Sequence, residues 1–170
     1  KVKRAEDVVR VFEKVKKIIP SRLILIGDGP ERHKVENLCR HLEICDDIKF
    51  LGKVKSTGAV LAAADLFLLT SETESFGLAA LEAMASGVPV LSTNTGGLPE
   101  VNRQGFSGFL SNVGDVEDMA KNAIYLLSDE KILLQFKKNS LEQAGKFDIR
   151  RILPIYEKLY ADVLLYAQKN

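Results

Sequence analysis

The sequence predicts an α/β fold in which a parallel sheet is covered by helices on both faces. Three observations carry that expectation. Short apolar runs (LILI at 23–26, IKFL at 48–51, LFLLT at 66–70, VLS at 90–92) recur along the chain, as buried parallel strands do. Segments of helical length separate them, so the chain reads strand, helix, strand, helix. Turns rich in glycine, serine and acids follow the runs, at Gly27-Asp28-Gly29-Pro30, residues 52–55 and residues 71–77. Together these make a Rossmann-like sheet, whose ligands sit outside the carboxyl ends of the strands.

Each element has a local reason. Residues 4–19 repeat Val8, Val9, Phe12, Val15 and Ile19 at helical spacing, with lysines and acids opposite, so they form an amphipathic helix. Pro20-Ser21 closes it, and residues 22–27 (RLILIG) form a buried strand. Pro30 suits the first turn of a helix over 31–42. Residues 48–51 are the next strand, 57–64 a short alanine-rich helix, and 66–70 a strand buried on both faces. Ser71, Thr73 and Ser75 supply helix-entry residues, and 76–85 (FGLAALEAMA) are nearly all good helix formers. Gly87 ends that helix and Pro89 opens the strand at 90–92. Residues 98–102 form a short helix, and GFSG at 105–108 turns the chain into a short strand at 109–110. Three helices follow, Val116–Leu127, Glu130–Gly145 and 149–167, with a break at Phe147-Asp148. No repeat, low-complexity tract or linker interrupts them, so residues 1–170 read as one domain.

Composition narrows the partners. Apolar residues make up 46% of the chain and charged residues 28%, which fits a soluble globular protein. A net charge of +1 gives no field for nucleic acid or an anionic membrane surface. No apolar run approaches the ~20 residues of a membrane span, and the basic opening KVKR leads into an amphipathic helix rather than a signal-peptide core. Cys39 and Cys45 show no repeating pattern, so a disulfide scaffold is not expected, and Cys39 reads as a small buried apolar residue. With His33 and His41, which suit a solvated helix face, the cysteines do not match a zinc spacing. A reducing cytoplasm is the expected compartment.

Two carboxylates stand out, Glu74 and Glu82, with SFGLAAL between them. On one helix they would lie roughly 12 Å apart along the axis. That exceeds the ~5 to 9.5 Å between acids that work on one glycosidic bond. If both serve a ligand, they hold opposite ends of something long; otherwise Glu74 complements a helix dipole and Glu82 is a solvated surface residue. The helix start near Phe76-Gly77-Leu78 offers free N–H groups and a positive dipole end to an anion. Gly77 either admits that anion closely or only eases the turn.

The ordered pattern E-S-F-G-L-x-x-x-E-A-M-A-x-G-x-P-V from Glu74, followed by G-G-x-P-E from Gly96, resembles the donor-binding signature of retaining glycosyltransferases of family 4. Gly27 to Pro30, Phe50-Leu51-Gly52 and Ala64-Asp65 extend the resemblance over most of the chain. It implies the C-terminal, nucleotide-sugar half of a GT-B fold, without the N-terminal acceptor half, the first strand of this half and a phosphate-binding arginine. It also implies site roles. Gly77 and the amides around Ser75, Phe76 and Leu78 receive a diphosphate, with Lys3 as the cation. Glu82 accepts hydrogen bonds from the ribose, and Glu74 acts at the transferred sugar as the catalytic carboxylate. Gly52-Lys53-Val54 holds the base by its backbone, and Gly27, with Asp28 and Gly29, lines the nucleotide pocket or forms a plain turn. Gly96-Gly97 is a tight turn at the cleft, and Glu100 is structural. No metal and no protein nucleophile are required.

The segments KVKRAEDVVRVF and LLTSETESFGL are most similar to members that move N-acetylglucosamine from UDP to a small hydroxy acid such as L-malate in bacillithiol biosynthesis. Members that build lipopolysaccharide, capsule or glycolipid are the alternative within the family. A non-catalytic nucleotide-sugar-binding module is the alternative of another class. The last helix of the family crosses back onto the other half, so Ile152, Ile155, Leu159, Val163 and Leu164 are expected to be partly exposed or covered by a second copy, with self-association or marginal stability as the result. The isolated chain is expected to be inactive.

Overall fold

The computed structural model describes residues 3–169, with only the backbone of residues 165 and 167–169; Lys1 and Val2 of the basic opening lie outside it. Among the described residues five strands form two blocks, each parallel within itself. In the first, β1 (Leu23–Ile26) pairs with β2 (Ile48–Gly52), Leu23 opposite Ile48. In the second, β4 (Val90–Thr93) lies between β3 (Phe67–Leu69) and β5 (Gly108–Ser111). Leu91 faces Leu68 on one side and Phe109 on the other. Among the described residues no ladder joins the two blocks.

Parallel neighbours need crossovers, and each carries a helix: α2 (Arg32–His41), α4 (Leu78–Ala85) and α5 (Leu98–Val101). Helix α3 (Gly58–Ala62) lies on the connection from the first block to the second. Helix α1 (Ala5–Lys16) precedes the strands. Three more follow them, α6 (Val116–Leu127), α7 (Glu130–Gly145) and α8 (Ile149–Lys169). Within each block the strands share one direction, so the turns leaving them lie at one edge of that block.

Alternate residues of β4 show that helices cover both faces. Val90 packs with Leu69, Ala80, Ala83, Met84 and Leu98, whereas Leu91 packs with Val11, Val15, Met119, Ala123 and Leu126. Burying each such Leu or Val side chain contributes about 1.5 to 3 kcal/mol. Helix α1 belongs to both blocks: Val11 and Val15 join the β4 cluster, while Val9 and Phe12 join Val35, Cys39, Ile44 and Ile48 beside β1 and β2. Its apolar stripe is therefore the bridge across the open seam.

Two burial expectations are corrected. The strand buried on both faces is β4, all four residues of which are buried; Phe67 and Leu68 of β3 are half-buried because β3 is an edge strand. Strand β1 is also an edge, and it alternates: Ile24 and Ile26 are 45% and 37% exposed.

Polar side chains brace the second block. Asn102, fully buried, donates through Nδ2 to the carbonyls of Val90 (3.0 Å) and Phe109 (3.2 Å) and to Ser92 Oγ (3.0 Å). Its Oδ1 accepts from Ser107 Oγ at 3.0 Å. One side chain thus pins β4, β5 and the turn between α5 and β5.

The cysteine reading is corrected as well. Cys39 is buried, as expected, but it forms a disulfide with Cys45. The chain reverses after α2 through Glu43, whose φ is +56°, and this brings the two Cα atoms within 5.0 Å. With the two sulfurs bonded to each other, the cysteines no longer point to a reducing compartment. No helix among the described residues is long and apolar enough to cross a membrane. Helix α8 leaves Ile155, Leu159, Val163 and Leu164 more than half exposed.

Candidate functional site

The site starts where β3 ends. Thr70, buried just beyond that strand, donates from Oγ1 to the carbonyls of Lys3 (2.9 Å) and Arg4 (3.0 Å). This fastens the opening of the chain beside the strand exit. Lys3 Nζ then lies 2.6 Å from Glu74 Oε2; the lysine side chain is largely exposed and the glutamate side chain largely covered. Arg4 occupies the left-handed region at φ +46° and is committed to other acids. Its Nε donates to Asp7 Oδ2 at 2.6 Å and its Nη1 to Glu72 Oε1 at 3.0 Å. Those bonds, Asp7 first and Glu72 second, hold the guanidinium above its ordinary pKa, so it stays charged and occupied.

The acidic loop rests on the glycine pair. Thr95 Oγ1 donates to the Glu72 carbonyl at 3.0 Å, and the Gly97 amide donates to the Glu74 carbonyl at 3.0 Å. A Cβ on Gly96 would fall 1.8 Å from the Glu74 carbonyl oxygen, and one on Gly97 would fall 2.5 Å from that of Ser75. The pair is more than a tight turn. It is a side-chain-free seat that lets the backbone carrying Glu74 approach.

Gly77 then turns the chain into α4 with φ +94°. Its carbonyl accepts from Leu81 at 3.0 Å, and no side chain caps the helix. The amides of Leu78, Ala79 and Ala80 therefore have no intrahelical partner, and the positive end of the dipole lies there. A Cβ on Gly77 would meet Leu98 Cδ2 at 2.7 Å, so its own conformation and packing already require glycine. Leu78 is 64% exposed and Ser75 is exposed at this entry. The Phe76 ring instead packs edge-on against Phe147, with centroids 5.9 Å apart, so Phe76 offers the entry its backbone.

Glu82 sits one turn into α4, while Glu74 precedes the helix, so the picture of both acids on one helix is corrected. Glu82 is exposed, and its Oε2 accepts from Thr57 Oγ1 at 3.3 Å. The two remaining turns are tied to each other: the Gly27 amide, at φ +114°, donates to the Gly52 carbonyl at 2.8 Å, and Val54 follows half-buried. Lys3, Glu74 and the α4 entry are thus brought together, Gly27 and Val54 belong to the neighbouring block, and Thr57 links that block to Glu82. Thr57, Thr70 and Arg4 were not singled out in the sequence. Among the described residues no group of three or more His, Cys, Asp or Glu side chains could hold a metal ion.

A cation beside a carboxylate at an uncapped helix start, on the carboxyl edge of a parallel sheet, is the layout of a site for an anionic, polyhydroxylated ligand. The chain belongs to the glycosyl transferases of group 1, whose family model matches residues 1–143. Among its relatives is N-acetyl-alpha-D-glucosaminyl L-malate synthase of Bacillus anthracis, 44% identical over 165 residues, covering 96% of this chain and 43% of that protein. Sulfoquinovosyl transferase SQD2 of Arabidopsis thaliana is 34% identical over 139 residues, covering 79% and 26%. The crystal structure of Anabaena HepE in complex with UDP superimposes with a TM-score of 0.85 at 27% identity, covering 94% of this chain and 46% of that one. The chain spans less than half the length of each.

Proposed function

We propose that the chain is the donor-binding part of a retaining glycosyltransferase that takes UDP-N-acetylglucosamine and passes its sugar to a small hydroxy acid such as L-malate. The observation that carries the reading is the Lys3–Glu74 pair set against the free amides of Leu78, Ala79 and Ala80. The 44% identical relative, named for an N-acetylglucosaminyl malate product, supports the choice of donor and acceptor.

In this reading the diphosphate lies over the α4 entry, where backbone N–H groups and Lys3 take its charge without a metal. The backbone of residues 52–54 holds the base, beside the Gly27 turn, and Glu82 accepts from the ribose hydroxyls. Glu74 faces the transferred sugar and stabilises the positive charge that develops at its anomeric carbon. The acceptor hydroxyl attacks that carbon from the side UDP leaves. The new C–O bond forms as the bond to the phosphate oxygen breaks, and the acceptor proton passes to the departing phosphate. A second, acceptor-binding half closes over the site in the longer enzyme.

The test is turnover by the full-length protein with UDP-N-acetylglucosamine. Malate-dependent UDP release that survives EDTA is expected. Transfer to a polyprenyl or glycan acceptor with none to malate would overturn the acceptor, and UDP binding without turnover on any acceptor would overturn the enzyme.

A further inference from the structure

Thr57 stands at the N-cap position of α3, where threonine ordinarily bonds an amide of its own helix, yet its side chain makes no such bond. Its hydroxyl crosses instead to Glu82 Oε2 on α4, 3.3 Å away and 25 positions along the chain. Among the described residues no other side chain bonds that carboxylate, and Glu82 makes no ion pair. The second oxygen, Oε1, is left open. A glutamate carboxylate otherwise rotates broadly about its last torsion, so one hydroxyl on one oxygen selects its plane. Thr57 also lies three residues beyond Val54, on the loop that leaves β2. The bond therefore joins the wall carrying the β2 turn to the wall carrying Glu82.

We propose that Thr57 is a positioning residue for Glu82, holding the carboxylate so that Oε1 meets a ribose hydroxyl of the nucleotide. This rests on the proposed function, specifically on Glu82 as the ribose acceptor. Since the hydroxyl does not cap α3, replacing it with an isosteric methyl leaves that helix intact. What is lost is the ligand's dependence on its ribose hydroxyls.

The experiment is calorimetric titration of the full-length protein with UDP and with 2′-deoxy-UDP, for wild type, Thr57→Val, Thr57→Ser and Glu82→Gln. Loss of one hydrogen bond's ordering in Thr57→Val should weaken UDP about three- to tenfold and 2′-deoxy-UDP less than about twofold. The melting temperature should not change, and Thr57→Ser should keep the wild-type ratio. If Glu82→Gln abolishes the preference for ribose while Thr57→Val leaves it intact, the role of Thr57 is wrong. If Glu82→Gln leaves the preference intact, the ribose assignment fails and the proposal falls with it.

Discussion

Lys3 Nζ and Glu74 Oε2 lie 2.6 Å apart although they are 71 positions apart in the sequence, because Thr70 holds the Lys3 carbonyl at the exit of β3. With its lysine largely in solvent, this pair contributes little to stability. Its consequence is local: the lysine orients a largely covered carboxylate on the loop that leads into α4, where the proposed function needs a cation. Lys3→Met should therefore weaken UDP binding about tenfold, as loss of a charge-assisted bond does, with little change in melting temperature. Calorimetry at two salt concentrations checks this, since the variant should also show the weaker salt dependence.

Glu74 and Glu82 should separate in kinetics. Glu82→Gln should raise the UDP dissociation constant while leaving turnover at saturation nearly intact. Glu74→Gln should cut kcat by about a hundredfold or more with a smaller effect on UDP affinity, because the proposed function assigns its charge to the transition state. Equal losses of UDP affinity in both variants would remove this division of roles.

The glycine seat separates backbone strain from collision. Gly96 and Gly105 both have positive φ, +54° and +67°. A Cβ on Gly105 meets nothing within 4 Å, whereas one on Gly96 falls on the Glu74 carbonyl. Gly105→Ala should cost about 1 to 2 kcal/mol of backbone strain. Gly96→Ala should cost about 1 to 3 kcal/mol more for overpacking and should also impair UDP binding by displacing Glu74. Thermal melts and UDP titrations of the two variants check this.

Asp148 caps α8 by accepting from the Arg150 amide at 2.9 Å and from its guanidinium Nη2 at 2.5 Å. The side-chain bond, then the backbone bond, holds this carboxyl well below the usual carboxylate range. A depressed folded pKa gives stability that is present above the unfolded value of ~4 and is lost as pH falls below it. Helicity should thus hold from pH 7 to about 4 and then decline, and Asp148→Asn should be less helical at pH 7 and lack that component of the decline. Circular dichroism at stepped pH checks it.

Much of this was legible in the sequence for local reasons. The helices expected at Val116–Leu127 and Glu130–Gly145 are α6 and α7 to the residue, and in the structure Asp115 and Asp129 accept from their first-turn amides, contacts that are local to the segments themselves. The glycine turn at Gly96-Gly97 was also visible, but its contact with the Glu74 and Ser75 carbonyls depends on a loop twenty residues earlier. Apolar content made β3 look buried on both faces and β1 look buried; whether a strand is central or an edge is a property of the sheet order. The Cys39–Cys45 bond depends on the reversal at Glu43, and the Thr57–Glu82 bond on how α3 meets α4, and neither leaves a pattern along the chain.

The central claim is that a nucleotide diphosphate sits on the α4 entry, and amide chemical shifts during a UDP titration test it most directly. The account expects saturable shifts that are largest at Gly77, Leu78 and Ala79, with smaller ones at Glu82 and Val54. Shifts that gather elsewhere, such as along α8 or at the Gly105 turn, with the α4 entry unmoved, would contradict it.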